Sequence, residues 1–129
     1  MIEAVLFDLD DTLYPEAQYM RSGFAAVGAR LEALGHGEAR ALGALFASVH
    51  FGEGREGVFD IALTRLGLPL DLVPELVKTH RDHAPRRLRL FDDADAVLTA
   101  LRGRYRLGVV TDGWLAVQQR KVDALGVAA

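Results

Sequence analysis

Asp8, Asp10 and Asp11 place three carboxylates within four residues, and Thr12 follows directly. Like charges this close repel one another, and an unpaired carboxylate is costly to bury. A shared cation relieves both costs. Asp8 and Asp10 are two positions apart, so on an extended backbone both side chains leave the same face. One carboxylate of such a pair can attack while the other moves protons. Mg²⁺ takes oxygen ligands, and one or two carboxylates with waters and a phosphate suit it. An ordinary Asp-rich turn after a strand shows the same residue types.

The residues ahead of the acids must position them. Ile2 to Leu9 is apolar except for Glu3 and Asp8, which reads as a strand covered on both faces. The carboxyl end of such a strand is where open α/β sheets place their ligands. Tyr105 to Thr111 reads as a second buried strand, ending in Thr111-Asp112-Gly113 and then Trp114. A helix follows over Leu115 to Val127, with Val117, Lys121, Val122 and Leu125 at helical spacing; Lys121 reads as a surface residue.

The intervening chain changes period. Met20, Phe24, Val27, Leu31 and Leu34 mark one helical face, and Gly35-His36-Gly37 stops it. A second helix starts near Glu38, with Leu42, Leu45, Phe46 and Val49 on its apolar side. Val58, Ile61, Ala62 and Leu66 mark a third, closed by Gly67 and Pro69. Asp71 is placed to cap a fourth through Leu72, Leu76, Val77 and His80, with Pro74 in its first turn. A further helix starts at Asp92 or Asp93 and ends at Gly103. His80 and His83 share a helical face, but no other ligand type accompanies them at useful spacing. His36, His50, His80 and His83 therefore read as surface or interface histidines. Arg86, Arg87 and Arg89 have no interleaved aromatics and read as a solvated face.

Composition narrows the classes. The 129 residues are 50% hydrophobic and 26% charged, which suits a folded globular chain. A net charge of -3 gives no basic excess for nucleic acid or an anionic membrane. The absence of cysteine excludes disulfides and thiol nucleophiles. Without a basic leader or a long apolar run, a cytoplasmic location is the expectation.

Asp8-Leu9-Asp10-Asp11-Thr12-Leu13 after an apolar strand resembles the first motif of the haloacid dehalogenase superfamily, in its phosphohydrolase branch. The resemblance implies an α/β fold: a Rossmann-like core over residues 1–15 and 86–129, here incomplete, with an all-helical cap over 16–85 that selects substrate. It implies that Asp8 is the nucleophile and forms an aspartyl-phosphate. Asp10 is then the general acid and later the base, and Mg²⁺ sits on the Asp8 carboxylate and the Asp10 carbonyl. Thr111-Asp112-Gly113 resembles the second motif, whose hydroxyl binds a phosphoryl oxygen with help from main-chain N–H groups at the helix start. Relatives often carry Asn where this chain has Asp112, which adds negative charge beside that site.

The family pattern continues with a Lys-Pro string and further acids, and neither occurs here. The chain therefore reads as truncated after the second motif. Its strand edges lack partners, which favours homo-oligomer association. The expected function is a Mg²⁺-dependent phosphatase of a small phosphorylated metabolite. A phosphomutase, a dehalogenase and a non-catalytic binding remnant are the alternatives. A dehalogenase needs no second acid, because halide leaves without a proton.

Overall fold

The structure is a computed structural model that describes residues 1–54 and 56–127. The last two residues of the expected 86–129 segment lie outside the described residues. The chain divides into two compact units, one of residues 1–19 with 85–129 and one of residues 20–84.

The first unit is built on two parallel strands, β1 (Ala4–Phe7) and β2 (Arg106–Val109), paired with Ala4 opposite Arg106 and Phe7 opposite Val109. Backbone bonds from Arg106 N–H to the Glu3 carbonyl and from Val110 N–H to the Phe7 carbonyl extend the ladder at each end. Parallel pairing brings the two carboxyl ends together, so the acids after β1 and the threonine after β2 emerge at one end of the sheet. Helix α1 (Glu16–Ala33) leaves the turn after β1, α5 (Asp92–Leu101) leads into β2, and α6 (Leu115–Leu125) follows it. Asp92, Asp93 and Asp95 lie in the first turn of α5, where the helix dipole favours negative charge.

Neither strand is buried on both faces, contrary to the expectation from composition. Residues alternate between exposed and half-buried along β1, and Leu6 is 65% exposed. With only two strands paired, part of each strand remains uncovered among the described residues. The apolar core of this unit sits instead around the turn after β1, where Leu9, Leu13 and Tyr14 are fully or nearly fully enclosed.

The second unit is helical. It contains most of α1, then α2 (Ala39–Glu53), α3 (Val58–Leu66), a 3₁₀ turn over Leu70–Leu72 and α4 (Val73–Asp82). Phe24, Val27, Leu31, Phe46, Val49 and Leu76 form its centre. Glu38 caps α2 by accepting from the N–H groups of Arg40 and Ala41, and Gly67 closes α3 in the left-handed region. Asp71 does not cap α4: it lies inside the 3₁₀ turn, and the residue preceding α4 is Leu72. His50 is buried with its ring centroid 5.3 Å from that of Phe24, so it is a core residue and not a surface one. The His80 ring packs on Phe24 at 4.9 Å.

Helices α1 and α2 cross at glycines. A Cβ at Gly28 would strike the Ala39 carbonyl and approach the Gly43 nitrogen to 2.7 Å, and a Cβ at Gly43 would lie 2.9 Å from the Phe24 carbonyl oxygen. Backbone atoms cannot swing aside as a side chain can, so the helices would have to separate. Gly28→Ala is therefore expected to lower stability by about 1–3 kcal/mol despite alanine's better helix propensity. Urea denaturation measures this, and an unchanged or raised midpoint would show that the crossing tolerates the extra carbon.

Candidate active site

The residues after β1 fold into a tight turn. The Leu9 carbonyl accepts from the N–H groups of Thr12 and Leu13, and Asp11 N–H donates to the Tyr14 carbonyl. Asp11 adopts φ 58, a left-handed conformation that Asp tolerates better than most residues. From there its Oδ1 accepts from Glu16 N–H at the start of α1. Asp11 is thus a turn and capping residue, and its environment differs from those of Asp8 and Asp10.

Those two acids occupy different environments. Asp8 is exposed, and the Thr12 hydroxyl reaches its Oδ2 only at 3.4 Å. Asp10 is half-buried and tightly held. The Tyr14 hydroxyl donates to Oδ1 at 2.6 Å, Gln118 Nε2 donates to Oδ2 at 3.1 Å, and Lys121 Nζ lies 2.9 and 3.2 Å from the two oxygens. Burial pushes the Asp10 carboxyl up, but Tyr14, Lys121 and Gln118 together outweigh it and hold the group below the ordinary carboxylate range. Burial and the adjacent Asp10 push the Tyr14 hydroxyl well above its usual value, so Tyr14 stays protonated and donates.

Lys121 is not the surface residue that helical spacing suggested. It is 5% exposed, and its ammonium sits 4.3 Å from the centroid of the Tyr19 ring as well as on Asp10. The ion pair and the ring face together compensate its burial. Gln118 and Lys121 are three apart on α6 and so share a face. Helical spacing alone does not reveal the setting of Lys121, because its partners are tertiary contacts. Neither Gln118 nor Tyr14 is marked by its spacing either.

Thr111, Asp112 and Gly113 meet this cluster through Gln118. Its Nε2 lies 2.7 Å from Thr111 Oγ1 and 3.0 Å from the Asp112 carbonyl oxygen. Asp112 thus joins the cluster through its main chain, and its side chain is exposed. Gly113 has φ 129, and a Cβ there would come within 3.2 Å of the Gln118 side chain. The resulting arrangement has an open carboxylate, a tethered carboxylate and a hydroxyl at the carboxyl ends of two parallel strands.

A model of the haloacid dehalogenase-like hydrolases matches residues 2–129. The chain belongs to this family. It is 32% identical over 136 aligned positions to a glyceraldehyde 3-phosphate phosphatase of Methanopyrus kandleri, covering 98% of this chain and 58% of that protein. This family member therefore spans less than two thirds of that relative. Two solved structures share the fold at 21% identity: a haloacid dehalogenase-like family hydrolase from Xanthomonas campestris, with a TM-score of 0.50, and a defluorinating L-2-haloacid dehalogenase, with 0.52. Each alignment covers 98% of this chain and 57% of the other. No helix among the described residues is long and apolar enough to cross a membrane.

The donor set can be tested against Mg²⁺. The Asp8 carboxylate is open to solvent, whereas Lys121 contacts both side-chain oxygens of Asp10. One free carboxylate with the Asp10 main-chain carbonyl fits an ion that completes its shell with waters and substrate phosphate. Among the described residues no group of three His, Cys, Asp or Glu side chains is placed to hold a metal.

The pair of Lys121 and Asp10 yields a pH-dependent expectation. Lys121→Met leaves Asp10 half-buried without its cation, which should cost about 1–3 kcal/mol near neutral pH. Because the folded carboxyl lies below its ordinary value of 3.8, its stabilising contribution is complete above that pH and disappears as pH falls through the lowered value. The stability difference between parent and variant should therefore shrink on acidification. Urea midpoints across acid and neutral pH measure it, and a difference independent of pH would contradict an ionic role for the pair.

Proposed function

We propose that this chain carries the site of a phosphohydrolase, acting on a small phosphorylated metabolite through an aspartyl-phosphate on Asp8. The observation that carries this reading is the unequal treatment of two acids at one sheet end. Asp8 is left open, while Asp10 is oriented by a hydroxyl, an amide and an ammonium. Two carboxylates in contrasting environments suit two different roles. The resemblance to a phosphatase in Methanopyrus kandleri supports a phosphomonoester as substrate.

In this mechanism an Asp8 oxygen attacks phosphorus while the ester P–O bond breaks. The leaving oxygen takes a proton from Asp10. Asp10 must be protonated for this step, and the negative charge of an arriving phosphate raises its proton affinity. Water then attacks phosphorus, Asp10 accepts its proton, and the bond between phosphorus and Asp8 breaks. Thr111 binds a phosphoryl oxygen, with Asp112 and Gly113 shaping the loop. Mg²⁺ held by the Asp8 carboxylate and the Asp10 carbonyl would neutralise charge on the phosphoryl oxygens. Substrate selection is assigned to the helical segment, residues 16–85, on the family resemblance. The dehalogenase neighbour shares the fold, but halide departure gives the tethered Asp10 no proton to transfer.

Release of phosphate from p-nitrophenyl phosphate with and without Mg²⁺ tests the reading. Asp8→Asn should abolish turnover and leave the circular dichroism spectrum unchanged. Asp10→Asn should lower turnover by ~10²–10⁴-fold while retaining phosphate binding. Near-normal turnover in a folded Asp8→Asn protein would overturn the assignment.

A further inference from the structure

We propose that Gln118 is a positioning residue that aims the Thr111 hydroxyl at the incoming phosphoryl group. The inference rests on the phosphohydrolase reading and adds a residue that the first two motifs do not contain. Gln118 is 6% exposed, so its side chain has little freedom to exchange its partners for water. Three oxygens surround its Nε2: Thr111 Oγ1 at 2.7 Å, the Asp112 carbonyl at 3.0 Å and Asp10 Oδ2 at 3.1 Å. The ionised carboxylate and the carbonyl can only accept, so the side-chain nitrogen, and not its oxygen, must face them.

That assignment dictates the polarity of Thr111. An amide nitrogen donates and does not accept, so Thr111 Oγ1 is the acceptor of the Gln118 bond. The one hydroxyl hydrogen of Thr111 must point elsewhere. Its contact at rest is a long one, 3.4 Å, to the Asp112 carbonyl, which also accepts from Gln118. A phosphoryl oxygen, being charged, is a stronger acceptor than this shared carbonyl. Gln118 therefore leaves the hydroxyl able to donate to phosphate, and the same amide links it to Asp10.

The backbone is shaped for this contact. Gly113 at φ 129 keeps clear the space that a Cβ would take from Gln118 Cδ and Cγ, at 3.2 and 3.3 Å. Gln118 N–H bonds to the Trp114 carbonyl in the first turn of α6, which fixes the height of its side chain above the Thr111 loop.

The test is a double-mutant cycle read by inorganic phosphate binding in the presence of Mg²⁺. Isothermal titration calorimetry would compare the parent, Gln118→Met, Thr111→Val and the double variant, with folding checked by circular dichroism. Gln118→Met should weaken phosphate binding about tenfold, and the double variant should bind no more weakly than Thr111→Val alone. Purely structural damage would instead add to the loss from Thr111→Val. Equal binding by parent and folded Gln118→Met, or additive losses, would overturn the inference while leaving the phosphohydrolase reading intact. A parent that neither binds phosphate nor hydrolyses phosphomonoesters would overturn that reading, and this inference with it. If Gln118→Met does not fold, Gln118→Asn carries the same test, because its shorter amide cannot span Thr111 and Asp10.

Discussion

A carboxylate drawn half out of water needs a counter-charge, and Asp10 obtains it from Lys121 at 2.9 Å. The rest of the site follows from satisfying that need. Lys121 is buried only because Asp10 and the Tyr19 ring receive its charge, and α6 must lie where both are in reach. Gln118, one turn earlier on the same face, then meets Asp10 and Thr111 together. Tyr14 completes the set from the turn itself, its own hydroxyl kept protonated by burial and by the acid it serves. One ion pair thus fastens the loop after β1 to α6, and Gln118 on the same helix reaches the loop after β2.

Fastening has a chemical consequence. In the proposed mechanism an acid that gives and takes a proton must be held in one orientation, and Asp10 is gripped at both oxygens. In the same mechanism an attacking acid must keep an oxygen clear, and Asp8 is exposed. Identical side chains two residues apart occupy unlike environments because one turn and one helix treat them differently. Asp11 has a third use, as a left-handed turn residue that caps α1. The acidic cluster therefore divides into an exposed carboxylate, a tethered carboxylate and a turn residue.

Much of this was legible from residue types and spacing. The acids after an apolar run, the threonine after a second one and the helical stretch between them outline the α/β fold and its family. Strand burial departs from the sequence expectation because an unbroken apolar run such as Ala4–Phe7 indicates what a strand can bury, while actual coverage depends on neighbours. Lys121 departs from its expected surface position for a related reason. Lysine in a helix is normally solvated, and only the tertiary approach of Asp10 and Tyr19 reverses that preference. Asp71 does not cap because capping depends on where the helix begins, and the 3₁₀ turn moves that point past it. The contacts of Gln118 exist only where α6 meets the two loops, so its residue type and spacing do not show them.

The central claim is that Asp8 forms a covalent bond to phosphorus. The most direct measurement is an acid quench of the Mg²⁺-loaded protein during turnover of a phosphomonoester, followed by peptide mass spectrometry. The account predicts a phosphoryl group on the peptide carrying Asp8, which appears within the first turnover and decays when substrate is exhausted. Steady phosphate release with the phosphoryl group on another residue would contradict it.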